Sequence, residues 1–155
     1  MIDGNRDQRG FSLVEMMVTI GIMAILLGIS ISTWNRYTMN TNLKTAARMV
    51  ASDFFAAKQR AVQEATGYRI TFNVGPNSYQ MTETATGDVI QNRNISDCGR
   101  GIILTEATFS GNPTINFYAR GTAQDGSVSL KNDIDSTTTI TVNVTGRTFV
   151  QFNLQ

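Results

Sequence analysis

Apolar positions along this chain follow three successive patterns. From Phe11 to Ile31 they are nearly continuous: FSLVEMMVTIGIMAILLGISI contains one ionisable group, Glu15. A bilayer span needs about 20 mainly apolar residues at about 1.5 Å each, so this run is long enough to cross a membrane as a helix. Farther on, Leu43, Ala47, Val50, Phe54, Ala57, Ala61 and Ala65 recur at steps of four and three. That is one face of an amphipathic helix. Lys44, Arg48, Asp53, Lys58, Arg60 and Glu64 fall between them. No proline lies within 11–66, so the two patterns join into one expected helix about 80 Å long, with Gly67 as its C-terminal stop. The alanine-rich face predicts close packing on a sheet, and Phe54 is the side chain expected deepest in that contact.

After Gly67 the period falls to two. Strands are expected at Tyr68–Val74, Ser78–Thr84, Val89–Ile95, Thr114–Ala119, Ser127–Leu130, Thr137–Val144 and Thr148–Leu154. Turn signals separate several of them: Gly75-Pro76-Asn77, Ala85-Thr86-Gly87-Asp88 and Gly146-Arg147. Clean alternation implies an antiparallel sheet with one wet face. Its apolar face needs cover, and the amphipathic helix is available. The expected class is α+β, a long N-terminal helix packed on antiparallel sheet. Four segments result: a polar leader at 1–10, an apolar helical half at 11–32, an amphipathic half at 33–66 and a strand-rich head at 67–155.

The leader MIDGNRDQRG places Arg6 and Arg9 just ahead of the apolar run. Basic flanks favour the cytoplasmic side, which puts the head outside the cytoplasm. Trp34, Asn35, Arg36 and Tyr37 follow the run like an interfacial anchor. A secretory signal would have a shorter apolar core and a small-x-small cleavage site; neither is present. Glu15 is the odd residue. A carboxylate within a bilayer costs about 2.5–3.5 kcal/mol on insertion scales. Either it stays hydrated at the interface, or a cation enters with it.

Composition narrows the chemistry. The 155 residues carry 13 Lys+Arg against 12 Asp+Glu, no histidine and one cysteine. Imidazole bases, catalytic triads and the usual zinc frameworks are excluded. No cofactor or metal is implied, and no convergent set of titratable groups points to an enzyme. Charge is only 16% of the chain, because the apolar run avoids it. Residues 36–64 carry five basic and two acidic side chains, whereas the chain beyond Tyr68 has six basic and seven acidic.

Gly10-Phe11-Ser12-Leu13-Val14-Glu15, behind a short charged leader and before an apolar helix, resembles the class III signal of type IV pilins and type II secretion pseudopilins. The resemblance implies that a prepilin peptidase cuts after Gly10 and that the new N-terminal Phe11 is methylated. It implies an inner-membrane protein with its head in the periplasm. Through an assembly platform in that membrane, the subunit would join other pilins or pseudopilins in a filament. Glu15 is then the assembly residue: a neighbour's carboxylate pairs with the buried α-ammonium of Phe11 and sets register. Many pilins have a proline midway along this helix. Here Gly21 and Gly28 are its only helix-weakening residues. The order of elements, with FYARGTAQDGSVSL and TITVNVTGRTFVQF near the end, looks like the GspH/FimT branch of minor pilins and minor pseudopilins.

Other candidates are weaker. Cys98 is alone and reads as a structural thiol in a loop. Asp125, Asp133 and Asp135 lack the spacing of a calcium loop. Some FimT-like subunits that serve DNA uptake carry Gly-Arg-x-Arg. Gly146-Arg147-Thr148-Phe149 keeps the first Arg and has Phe at the second. Arg147 with Arg120 or Arg100 would make a small basic patch. The net charge of −1 beyond Tyr68 argues against nucleic acid as a partner.

Overall fold

The computed structural model describes residues 11–155, apart from the side chains of 29–33. The leader and Gly10 lie outside the described residues. The chain divides into two compact units between Arg36 and Tyr37.

Helix α1 (Leu13–Gln63) opens in the first unit. The Ser12 carbonyl accepts from the Met16 amide at 3.2 Å, which makes Ser12 the N-cap position. Apolar side chains from Leu13 to Leu27 are exposed. Among the described residues no helix is long and apolar enough to cross a membrane. Described side chains of the apolar run stop at Gly28 and resume at Trp34.

The second unit is the head. Its strands are β1 (Tyr68–Asn73), β2 (Ser78–Glu83), β3 (Val89–Asn94), β4 (Ile102–Phe109), β5 (Thr114–Phe117), β6 (Gly126–Asn132), β7 (Thr137–Val142) and β8 (Thr148–Asn153). They form two four-stranded sheets, ordered β3-β2-β1-β5 and β4-β6-β7-β8. Every pairing is antiparallel. Seven of these strands coincide with the alternating segments; β4 escapes the alternation. The register slips between Leu104 and Glu106, so the inward set passes from Ile102 and Leu104 to Ala107 and Phe109. A bulge inserts one residue and reverses the parity.

Leu43, Ala46, Ala47, Val50, Phe54, Ala57 and Ala61 of α1 are buried against these strands. The alanines bring the backbone close, and Phe54 fills what remains. Its ring lies 5.9 Å from Phe72, 6.1 Å from Phe109 and 5.9 Å from Phe117, distances suited to aromatic pairs. The helix does not end on Gly67. Ala65 takes the left-handed turn, with φ 52°, and Gly67 already pairs with Thr84 through its carbonyl at 2.8 Å.

Asn77 links the parts of the head. Its amide donates to the Ile102 carbonyl and accepts from the Leu104 amide, both at 2.7 Å. A residue in the β1–β2 turn thereby ties down the start of β4. Asn132 acts similarly at the opposite end of the chain, where its side chain accepts from the amides of Ile134 and Ser136 at 3.2 and 2.9 Å and donates to Asn40 at 3.1 Å.

Candidate functional site

Two places answer to the sequence motifs. At the N-terminus, Phe11 is exposed and Glu15 sits in the first turn of α1. Backbone amides there lack intrahelical partners, and the helix dipole favours an anion by about 0.3–1 kcal/mol. The Glu15 side chain is exposed. It makes no hydrogen bond or ion pair with another described residue. Glu15 is thus an exposed carboxylate at the start of α1.

The second place is the distal pole of the head. Gly121 (φ 79°) and Gly146 (φ 68°) lie far apart in sequence but meet in space. A Cβ on Gly146 would lie 2.8 Å from the Gly121 carbonyl oxygen and 3.0 Å from Lys58 Cδ. Only glycine tolerates both the backbone conformation and that approach. Lys58 Nζ donates to the carbonyls of Thr145 and Gly146 at 3.0 and 3.3 Å. Asn143 shapes the turn by accepting from the Arg147 amide at 2.9 Å. The loops bearing Arg120 and Arg147 thus adjoin, and both arginines are exposed. Arg100 does not join them. It follows Gly99, whose hydrogen faces Asn42, about 24 Å along α1 from Lys58. The Lys58 ammonium is directed at main-chain carbonyls, so the pole offers less free charge than its composition suggests. Beside it, Ala65, Thr66, Gly67, Tyr118, Ala119, Arg120 and Thr122 line a shallow depression.

The interior holds titratable groups that periodicity did not find. Asp53 is buried on α1 and accepts from the Tyr79 hydroxyl at 2.6 Å and Arg93 Nε at 3.0 Å. Burial, then the bond to Asp53, holds the Tyr79 hydroxyl far above the ordinary range. The signal in sequence was Asp53 beside Phe54 on the apolar face. The Tyr68 hydroxyl donates to Glu64, and that bond raises its pKa. Cys98 is half-buried with its sulfur 3.2 Å from that of Met49, and burial pushes its thiol up. Asp135 pairs with Lys131 at 2.6 Å, and Asp133 packs over Gly101. Among the described residues no group of acids or thiols is placed to hold a metal.

Residues 5–31 match the family model described as the prokaryotic N-terminal methylation motif. Comparison with curated proteins returns no match. Among solved structures, the minor pseudopilin EpsH of the Vibrio cholerae type 2 secretion system is similar, with a TM-score of 0.59 at 11% identity. That likeness covers 72% of this chain and 97% of EpsH. The type IV minor pilin FimU of Pseudomonas aeruginosa is similar with a TM-score of 0.58 at 15% identity, covering 76% of this chain and 92% of FimU. At such identities the likeness establishes the fold. The chain thus joins an N-terminal methylation motif at residues 5–31 to a head that shares the fold of these minor pilins and pseudopilins.

Proposed function

We propose that this chain is a minor structural subunit of a type IV pilus or a type II secretion pseudopilus. A prepilin peptidase cuts after Gly10, and Phe11 becomes the methylated N-terminus. Residues 11–32 hold the precursor in the inner membrane with its head in the periplasm. Extraction into a filament then replaces lipid around that helix with neighbouring helices. The observation that carries this reading is the motif at residues 5–31 joined to a minor-pilin fold. Glu15 supplies the assembly contact by pairing with a neighbour's Phe11 ammonium, which offsets part of the desolvation of both. Mass spectrometry of sheared filaments tests it: the expected peptide begins at a methylated Phe11. Glu15→Ala is expected to leave membrane insertion intact and to lower recovery in filaments at least tenfold. A mature chain that begins elsewhere, or equal recovery of the variant, refutes the reading.

A rival reading, DNA capture, draws on the adjacency of the Arg120 and Arg147 loops. It predicts a low-salt gel shift that Arg147→Ala abolishes. Absence of a wild-type shift ends it.

A further inference from the structure

Strand β8 ends its sheet, since it pairs with β7 and with no other strand. The hairpin that joins them fixes which of its backbone groups are used. The Asn143 amide donates to the Arg147 carbonyl at 3.0 Å, and hydrogen-bonded pairs alternate along an antiparallel ladder. The register then makes Thr141–Phe149, Thr139–Gln151 and Thr137–Asn153 the bonded pairs. Thr148, Val150 and Phe152 turn their N–H and C=O groups to the open side. No described residue hydrogen-bonds to those groups. Natural sheet edges are commonly guarded by charge, proline or a bulge; β8, with the sequence TFVQFN, has none of these.

The same edge is incompletely covered on its inner side. Along one inward row, Thr138 of β7 is 1% exposed and its partner Phe152 is 39% exposed. In the next row Ile140 is buried and Val150 only partly so. Helix α1 thus covers β7 but reaches only part of β8. Its flank there is fixed at two points. Asn40 donates to the Gln155 main-chain oxygen at 3.2 Å, and Lys58 to the Thr145 and Gly146 carbonyls at 3.0 and 3.3 Å. Helical spacing puts Lys44 and Ala51 on the same stripe as Asn40 and Lys58, with Arg48 and Phe55 one step farther out. Lys44 and Arg48 make no hydrogen bond or ion pair with another described residue. Two uncommitted cations therefore border an open, apolar strand edge, and exposed Arg147 stands just before its start.

Backbone and charge together select the occupant. A row of free N–H and C=O groups at strand spacing is completed by another strand. Such a strand would extend the sheet past the flank of α1, where its inward side chains meet Phe55, Lys44 and Arg48. Nucleic acid would use the cations but leave the backbone edge unpaired. A second copy pairing symmetrically through β8 would bring no acid, because β8 has none. It would also turn the two basic flanks toward each other, and like charges facing across an interface disfavour it. We propose that the open edge of β8 takes up an extended acidic segment of another protein as an added strand, with apolar side chains over Phe152 and carboxylates at Lys44 and Arg48. The inference concerns the head alone and does not rest on the assembly role of Glu15.

Hydrogen exchange of the full-length chain in detergent tests this, with synthetic peptides of about ten residues. One alternates Val and Glu, one alternates Val and Lys, and the third is the Val–Glu peptide with a central Pro. In the free chain the Val150 and Phe152 amides are expected to exchange faster than those of Phe149 and Gln151. The Val–Glu peptide should slow exchange at Val150 and Phe152 by about tenfold or more, and the other two should not. Phe152→Pro removes an N–H that the fold does not use and should abolish the effect. Lys44→Glu combined with Arg48→Glu should shift the preference to the Val–Lys peptide by about tenfold in affinity. Melting curves identify any variant that fails to fold; Arg48→Glu alone, at an exposed site, then carries the test. Val150 and Phe152 amides as protected as their neighbours in the free chain overturn the proposal. So does an ineffective Val–Glu peptide, or an equal effect from the Val–Lys or Pro-interrupted peptide. Protection that rises with protein concentration alone would identify a second copy as the occupant and likewise overturn it.

Discussion

Phe54→Ala is the most informative perturbation of the head. Phe54 is 1% exposed and touches three rings, Phe72, Phe109 and Phe117. Truncating a buried Phe costs about 3–5 kcal/mol. Its neighbours here sit on strands from both sheets and cannot all move inward, so the upper half of that range, about 4–5 kcal/mol, is expected. For a domain of this size each kcal/mol shifts the midpoint by about 3–5 °C, so Tm should fall by about 12–25 °C. The comparison is Phe55, the next residue on α1, whose ring is 60% exposed. Phe55→Ala should change stability by less than about 0.5 kcal/mol. Urea denaturation of the compact unit Tyr37–Gln155, followed by far-ultraviolet circular dichroism, measures both. A Phe54→Ala loss below about 1 kcal/mol, or equal losses for the two variants, would show that the helix does not pack through Phe54.

Three further outcomes follow from the polar contacts. Asp53→Ala strands the buried Tyr79 hydroxyl and should cost about 1–3 kcal/mol. Arg93→Ala should cost about 1 kcal/mol or less, because the Arg93 side chain is 42% exposed; a reversed order in urea melts would refute this account. Tyr79 binds its proton more tightly folded than unfolded. Stability should therefore be complete below about pH 10 and decline as pH rises above it. Tyr79→Phe should flatten that decline measurably; if Tm between pH 9 and 11 falls equally in both proteins, the coupling is absent. Asn77→Ala leaves the Leu104 amide and the Ile102 carbonyl without their 2.7 Å partner, at about 2 kcal/mol. Hydrogen exchange at the Leu104 amide should accelerate before that of β6, and unchanged exchange would contradict the clamp.

Much of this protein is legible along the chain because it rests on local periodicity. The apolar run, the alanine face centred on Phe54 and seven strands each follow from spacing that any helix or strand must obey. The motif around Gly10, Phe11 and Glu15 is also readable, since it is a stretch of contiguous sequence. What periodicity could not supply depends on contacts between distant residues. The bulge in β4 breaks alternation, and only pairing with β6 restores it. The helix stop passes to Ala65 because Gly67 is needed at the sheet edge beside Thr84. Asp53 reads as a charge on the wrong face until Tyr79 and Arg93 arrive from β2 and β3. The loops of Arg120 and Arg147 adjoin, and that of Arg100 does not join them, because Gly121 and Gly146 permit one close approach that no linear spacing encodes. Sequence alone determined the helix and every strand but β4; the tertiary structure decided which polar groups meet, since a hydrogen bond or ion pair acts over a few ångströms of space and is indifferent to distance along the chain.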